Sequence, residues 1–395
     1  MRPGPPFRDD RPRFTIRATC RPSANPFATH VSSLRDESNV PTDLPSTNAS
    51  KNPSGEVWSR KVSPQIQRHA PFRWHTVKDV PSNSTSTASP AFSLTNLSVG
   101  GEICDVLYAV NDAGMITDEA YSGLVIGDDR HNHSEIQNAI DAYARVVCKK
   151  SNGRILYETY PKVLNSILDA YLGEVPEEFE YDGVKYTPKS FAEKYALDIN
   201  EYVQFSSFMD QEMYQPFLML IPDNWTYTMT YNMGFDEMMA ELDNALNNGY
   251  TVGWAQDVSD KGFSRKDGLA IVPEDDVNKI RESNPKAFKK MTDEEVMEKQ
   301  YSFEYIMPEK EVTAEMHQRA YDDWSTGDDH SMLIVGIAHD QKGNKYYKVK
   351  NSWGESGPYK GYWYCSEEFV KLHTVFFTVN KAALSDEMRN NLGIE

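Results

Sequence analysis

Two apolar runs near the C-terminal end anchor the reading of this chain. Met332 to Ala338 and Tyr346 to Val349 have the length and composition of β-strands, and the turn-forming run Asp340-Gln-Lys-Gly-Asn344 between them predicts an antiparallel hairpin. Further strands are expected over Tyr227–Tyr231, Tyr250–Ala255, Gly268–Pro273, Gly361–Cys365 and Thr374–Val379. Helical spacing dominates earlier in the chain. Ile103, Val106, Leu107 and Val110 form one stripe behind Gly100-Gly101, and Gly114 stops that helix. Ser134 is the expected cap of a helix over Glu135–Val147, and a further helix runs from Tyr160 to Leu172 and ends at Gly173. Thr187 caps a short helix whose first position is Pro188, Asp236–Leu246 is closed by Asn247-Asn-Gly249, and Thr313 caps the helix that leads towards His330. Helices come first and strands gather late, which predicts an α+β fold rather than a doubly wound sheet.

Composition divides the chain near residue 98. The first 98 residues hold 13 of the 22 prolines, with 13 Lys+Arg against 7 Asp+Glu and no periodic apolar pattern. Such a segment cannot bury enough surface to offset its chain entropy, so 1–98 is expected to be disordered and the folded domain to span 99–395. The net charge is −18, and subtracting the +6 of the first 98 residues leaves −24 on the folded part. That balance makes nucleic acid or an anionic membrane surface an unfavourable partner. No apolar run reaches the ~18–20 residues of a membrane span, and the start Met1-Arg-Pro-Gly-Pro-Pro lacks a secretory apolar core, so a cytoplasmic location is the default expectation. Cys20, Cys104, Cys148 and Cys365 have no metal-like spacing, and neither a cofactor nor a zinc site is expected. His131 and His133 lack a third ligand nearby and read as a solvated loop.

The chemistry sits at the ends of the hairpin. His330 leads into its first strand and Asn351 follows its second, so an antiparallel fold-back can bring an imidazole against a carboxamide. An amide oxygen on one ring nitrogen fixes the tautomer and leaves the other for proton transfer.

These residues also carry a family resemblance. Asp329-His-Ser-Met-Leu-Ile-Val-Gly336, followed by Lys350-Asn-Ser-Trp-Gly354, resembles the His and Asn motifs of papain-like cysteine peptidases, in the bleomycin hydrolase/aminopeptidase C branch of bacterial type. Gly100-Gly-Glu-Ile-Cys through Asp118-Glu-Ala-Tyr121 is similar to the double-glycine stretch downstream of that family's nucleophile helix. The resemblance spans about residues 99–395. It implies a helical half, an antiparallel strand-rich half over about 225–395, and an extra helical insertion over about 130–235 that supports a homo-oligomer. It further implies N-terminal cleavage of peptides by a Cys-His-Asn mechanism, with His330 and Asn351 catalytic and Trp353 shielding their contact. By the same resemblance, the carboxylate of Glu395 would anchor the substrate's amine.

The nucleophile is the departure. The family carries it at a helix start a few tens of residues before the double glycine, yet no cysteine lies between Cys20 and Gly100. Cys20 is followed by Pro22 and by no helical pattern, and Cys104 reads as a small apolar residue on a helix. Cys148 and Cys365 read as structural. The helical half is therefore expected to be incomplete. Three readings stay open: an impaired thiol aminopeptidase, a non-catalytic remnant that binds peptides or sister subunits, and a site completed by a nucleophile supplied in trans.

Overall fold

The structure, a computed structural model, describes residues 16–18, 101–129, 131–151, 159–195, 198–221, 224 and 226–394, with 16–18 and 148–151 by backbone alone. In chain order, β1 (Ile16–Ala18) precedes four helices: α1 (Ile103–Ala113), α2 (Ser134–Ser151), α3 (Thr159–Leu172) and α4 (Pro188–Lys194). A hairpin of β2 (Phe179–Tyr181) and β3 (Val184–Tyr186) lies between the last two. Then come β4 (Tyr202–Ser206), β5 (Pro216–Leu218), β6 (Met229–Asn232), α5 (Phe235–Asn247), β7 (Val252–Gln256), β8 (Phe263–Ser264) and β9 (Leu269–Ala270). Four short helices follow: α6 (Val277–Ser283), α7 (Pro285–Phe288), α8 (Asp293–Glu298) and α9 (Ala314–Asp322). The chain closes with β10 (His330–Asp340), β11 (Lys345–Lys350), β12 (Tyr362–Ser366), α10 (Glu367–His373), β13 (Thr374–Asn380) and α11 (Asp386–Leu392).

The large sheet runs β5-β6-β4-β13-β7-β10-β11-β12-β9-β8, with β1 paired to the far end of β10. The expected α+β division is present, but the strand half is not wholly antiparallel. β4 pairs parallel with β6, and β12 pairs parallel with β9. Both parallel contacts join strands separated by a long crossover, as that geometry demands.

One face of the sheet carries the main core. Trp254, Met332, Ile334, Val349 and Trp363 from the strands pack there with Met238 and Leu242 of α5 and Phe369 and Val370 of α10. On the other face α1 lies directly on β7. A Cβ built on Gly253 would sit 2.5 Å from Ile103 Cδ1, so the helix approaches as closely as it does because that position lacks a side chain. The α2–α3 pair has a small core of its own, built from Ile136, Ile140, Leu164, Leu168 and Leu172.

Several local expectations shift. Ser134 is the first helical residue rather than the cap, and its N–H donates to Asn132 Oδ1 at 3.2 Å. Of Gly268–Pro273 only Leu269–Ala270 pairs as a strand, and the strand expected at Tyr227–Tyr231 occupies Met229–Asn232. Thr187 and Thr313 do cap their helices, accepting from Ser190 N and Met316 N. Apart from the backbone of 16–18, residues 1–98 lie outside the described residues.

One enclosed carboxyl ties the segment before α9 to the sheet. Glu309 Oε2 accepts from Val272 N (2.8 Å) and Ser366 Oγ (2.5 Å), while Glu368 Oε2 holds Val312 N at 2.6 Å. Burial, reinforced by the nearby Glu368 and Asp340 carboxylates, pushes the Glu309 carboxyl up to about 7. A carboxyl raised on folding binds its proton more tightly in the native state. It therefore favours folding at low pH, and this contribution is lost as pH climbs through about 7. Glu309→Gln should abolish that loss and stabilise the protein above pH 8 by on the order of 2–3 kcal/mol, while changing little near pH 5. Denaturant midpoints of both proteins measured across that range test this; parallel pH profiles would refute it.

Candidate active site

The site begins with the burial pattern of β10. Met332 and Ile334 face the main core, and beyond Val335 the faces exchange, so that Ile337 packs on that core while Ala338 joins Tyr346 and Tyr364 in a second cluster. The hairpin closes on Asp340, whose Oδ1 accepts from Lys342 N and Asn344 N at 2.8 and 2.9 Å, with Gly343 at φ +90°. Its register shifts once. Ile337 pairs with Tyr347 and Gly336 with Lys348, but Ile334 pairs with Val349 and Leu333 with Lys350, leaving Val335 as a bulge. Extending that register by one residue sets Asn351 opposite Met332, hence on the His330 face. Without the bulge Asn351 would fall opposite Leu333, on the wrong side.

His330 Nε2 and Asn351 Oδ1 are 3.0 Å apart. An amide oxygen can only accept, so Nε2 holds the proton in this pair and proton transfer falls to Nδ1. Asn351 is 4% exposed, and its Oδ1 also accepts from Ser352 N at 2.7 Å. Its main-chain N–H donates to Gly361 O at 3.0 Å. Trp353 covers the pair, its ring 5.1 Å from that of His330 and tilted by 33°. Trp363 (5.5 Å) and Phe263 (6.5 Å) meet the indole edge to face, and the Arg265 guanidinium stacks 4.5 Å from its centroid. Excluding water from one side of the His–Asn contact strengthens it. The loop bearing Trp353 is closed by Gly361 (φ +87°), where a Cβ would lie 2.2 Å from Gly354 O.

The approach to His330 is fixed by two aspartates that spacing alone does not single out. Asp257, at the end of β7, accepts from Gly327 N (2.7 Å) and from Ser259 N and Oγ (2.6 and 2.7 Å). Burial raises that carboxyl, but these hydrogen bonds outweigh it and hold the group below its ordinary value. Asp329 Oδ1 accepts in turn from Val258 N at 2.9 Å. These reciprocal ties stitch residues 257–259 to 327–329 just before the imidazole. Glu102, at the start of α1, reaches the same segment from the other half: its Oε2 accepts from Ser331 Oγ at 3.2 Å.

Cys104 is not brought to His330. Its Sγ donates to Gln204 Oε1 at 3.3 Å on β4 and lies 3.8 Å from Thr378 Oγ1 on β13, so β7 stands between it and β10. Burial pushes its thiol up to about 12, the opposite of what a thiolate nucleophile needs. Cys365 is fully enclosed in β12, and burial raises it strongly as well. Cys20, the Cys148 side chain and Glu395 lie outside the described residues, although Ile394 beside the last packs against the main core. His131 and His133 are ring neighbours at 5.4 Å, and no group of three potential metal ligands occurs among the described residues.

Removing the amide oxygen should release the tautomer. In Asn351→Ala, nitrogen-15 NMR of His330 should change from the Nε2–H form to a mixture of both forms. An unchanged Nε2–H signal would show that Asn351 does not set the tautomer.

Comparison with known proteins identifies the family and the fold. The Peptidase C1-like family matches residues 166–394. Aminopeptidase C of Lactococcus lactis subsp. cremoris is 39% identical over 59 residues, and that of Lactococcus lactis subsp. lactis (strain IL1403) is 37% identical over 59. Each alignment spans 15% of this chain and only 14% of the relative's length. Among solved structures, PepW of Lactobacillus rhamnosis HN001 superposes with a TM-score of 0.55 at 16% identity, covering 78% of this chain and 69% of that one. The chain belongs to the Peptidase C1-like family, papain-like peptidases of bleomycin hydrolase type, and has their α+β fold.

Proposed function

We propose that this chain carries the acid–base half of a thiol aminopeptidase that removes N-terminal residues from peptides. One observation carries the reading: His330 Nε2 lies 3.0 Å from Asn351 Oδ1 beneath the Trp353 indole. In that chemistry a thiol gives its proton to the imidazole, and the thiolate attacks the scissile carbonyl. The imidazolium then returns the proton to the leaving amine, while the amide holds the ring in line. His330 would exchange the proton through Nδ1, Asn351 would orient it, and Trp353 would keep water off the orienting hydrogen bond.

Neither Cys104 nor Cys365 supports the nucleophile's role, because both thiols are buried and raised. Their placement favours a second reading, in which the chain without an added thiol binds peptides and turns none over.

Aminoacyl fluorogenic substrates and an epoxide thiol inhibitor separate the two. The chain alone should show no turnover that Cys20→Ala removes, and no labelling of Cys104 or Cys365. Adding a separately expressed nucleophile segment of the family should produce turnover that His330→Ala abolishes by at least ~10³-fold. Labelling of Cys104 by the epoxide would overturn the assignment of that thiol. Turnover insensitive to His330→Ala would overturn the proposed mechanism.

A further inference from the structure

Gln256 lies on β7 directly across from His330, and on its other side it pairs with Thr374 of β13. Trp254 on β7 and Met332 on β10 both face the main core, and Gln256 and His330 stand two residues from them on the same strands. Carboxamide and imidazole therefore leave the sheet on one side, with Cβ atoms about 4.5–5.5 Å apart in such a pair. Gln256 is fully buried, and neither Oε1 nor Nε2 has a hydrogen-bond partner among the described residues. His373, the residue before Thr374, is buried as well, and its Nε2 is likewise without a partner among them. Its other nitrogen is engaged: Nδ1 lies 2.9 Å from Thr326 Oγ1, in the segment that leads to His330.

Ring contacts bring these two side chains to one end of the main core. The His373 ring lies 4.5 Å from that of Phe369, which meets Trp254 at 6.5 Å and Phe263 at 6.1 Å. Phe263 in turn touches the Trp353 indole that covers His330. Polar atoms enclosed among aromatic rings are costly unless each is hydrogen-bonded. The amide presents a donor and an acceptor, and a neutral imidazole presents one or the other at Nε2 according to its tautomer. Water supplies whichever is required, and an enclosed site with roughly two to four polar partners is where proteins hold it.

We propose that Gln256 and His373 hold internal water between them, and that this link makes both of them positioning residues for His330. The catalytic sense of this inference rests on the peptidase reading; the water site itself does not.

His373 acts on the approach to the imidazole through both of its nitrogens. Nδ1 fixes Thr326, where the span that ends in His330 begins. Nε2, through the water, reaches Gln256 beside the imidazole. Between those points Gly327 N donates to Asp257 Oδ2 at 2.7 Å, and Asp329 N donates to Gln256 O at 3.3 Å. The span 326–330 is thus tied along its length to β7 and α10. Burial lowers the His373 imidazole below its ordinary value against the pull of Asp260 and Asp257. A neutral ring adds no charge beside His330, so its effect there is one of placement.

The test is NMR on the labelled full-length chain. In the wild type, the Gln256 side-chain amide and the His373 ring should show nuclear Overhauser effects to long-lived water, of the sign that marks dipolar contact rather than exchange. Gln256→Met keeps the length of the side chain and removes both polar atoms; the water signal at His373 should then fall several-fold. Backbone hydrogen exchange over 326–330 should rise by at least about 5-fold in that variant and in His373→Phe, while exchange across β11 and β12 stays unchanged. His373→Gln, which retains a donor and an acceptor, should recover most of the protection. The absence of water contacts at both residues in the wild type would overturn the proposal. So would unchanged exchange over 326–330 in Gln256→Met. An equal rise across the whole sheet, or failure of Gln256→Met to fold, would mark a merely structural amide and overturn the positioning role. None of these outcomes depends on turnover, so the peptidase reading can fail while the water site stands, and the reverse.

Discussion

The site depends on a parity constraint. In a β-hairpin every residue has a fixed face, and two side chains beyond the paired ends meet only when their positions share that face. The distance along the chain from His330 to Asn351 does not decide this, because the extra residue at Val335 inverts the relation on one side of it. The bulge is the smallest change that places an imidazole and a carboxamide on the same surface while Met332 and Ile334 before it and Ile337 after it keep to the main core. The 3.0 Å contact is therefore a property of the whole hairpin and not of two neighbouring side chains. Gly361 and the Trp353 loop act later, setting the pair's solvation once register has set its geometry.

Around that pair the chain manages an acidic composition in three different ways. Asp257 stays ionised because three donors from Gly327 and Ser259 replace its water. Glu309 has two donors but also two acidic neighbours, and titrates near 7. Glu102 has a hydroxyl and another carboxyl, and is raised well above its ordinary value. The ordering follows the number of N–H and O–H donors against the number of nearby negative charges, with burial common to all. Each carboxyl joins two segments distant in sequence, so its protonation state bears on how the halves of the fold meet.

How far this was legible in the sequence depends on how local the signal is. The hairpin and its Asp340–Gly343 turn follow from apolar spacing and turn chemistry within about twenty residues, which brings His330 and Asn351 to the same end of the hairpin without fixing that they share a face. The bulge does not, because Ile334-Val335-Gly336 is an unbroken small apolar run that carries no parity of its own. Nor do the parallel pairings of β4 with β6 and β9 with β12, whose partners are set by burial across long connections. Nor does the enclosure of Glu102, which follows two glycines and is buried where Ile103 packs onto Gly253.

The same packing decides what Cys104 can be. Sequence places it on an amphipathic helix near the double glycine, and a helix start is where a thiolate would be favoured by the dipole. Seating α1 against β7 turns the residue towards Gln204 and Thr378, where the thiol is a hydrogen-bond donor in a dry environment. A dipole effect is at most about 2 kcal/mol even in favourable, partly buried geometry. Burial has moved the thiol upward to about 12, which corresponds to roughly 4 kcal/mol against ionisation, and that term wins. The imidazole–amide pair, by contrast, needs no thiol to hold it together: register, the Asp257 and Asp329 ties and the indole fix it within the strand half, and Glu102 adds one contact to Ser331 from α1. An imidazole–amide pair on one part of the sheet and an enclosed, unreactive cysteine across β7 from it are thus both consequences of how this sheet closes.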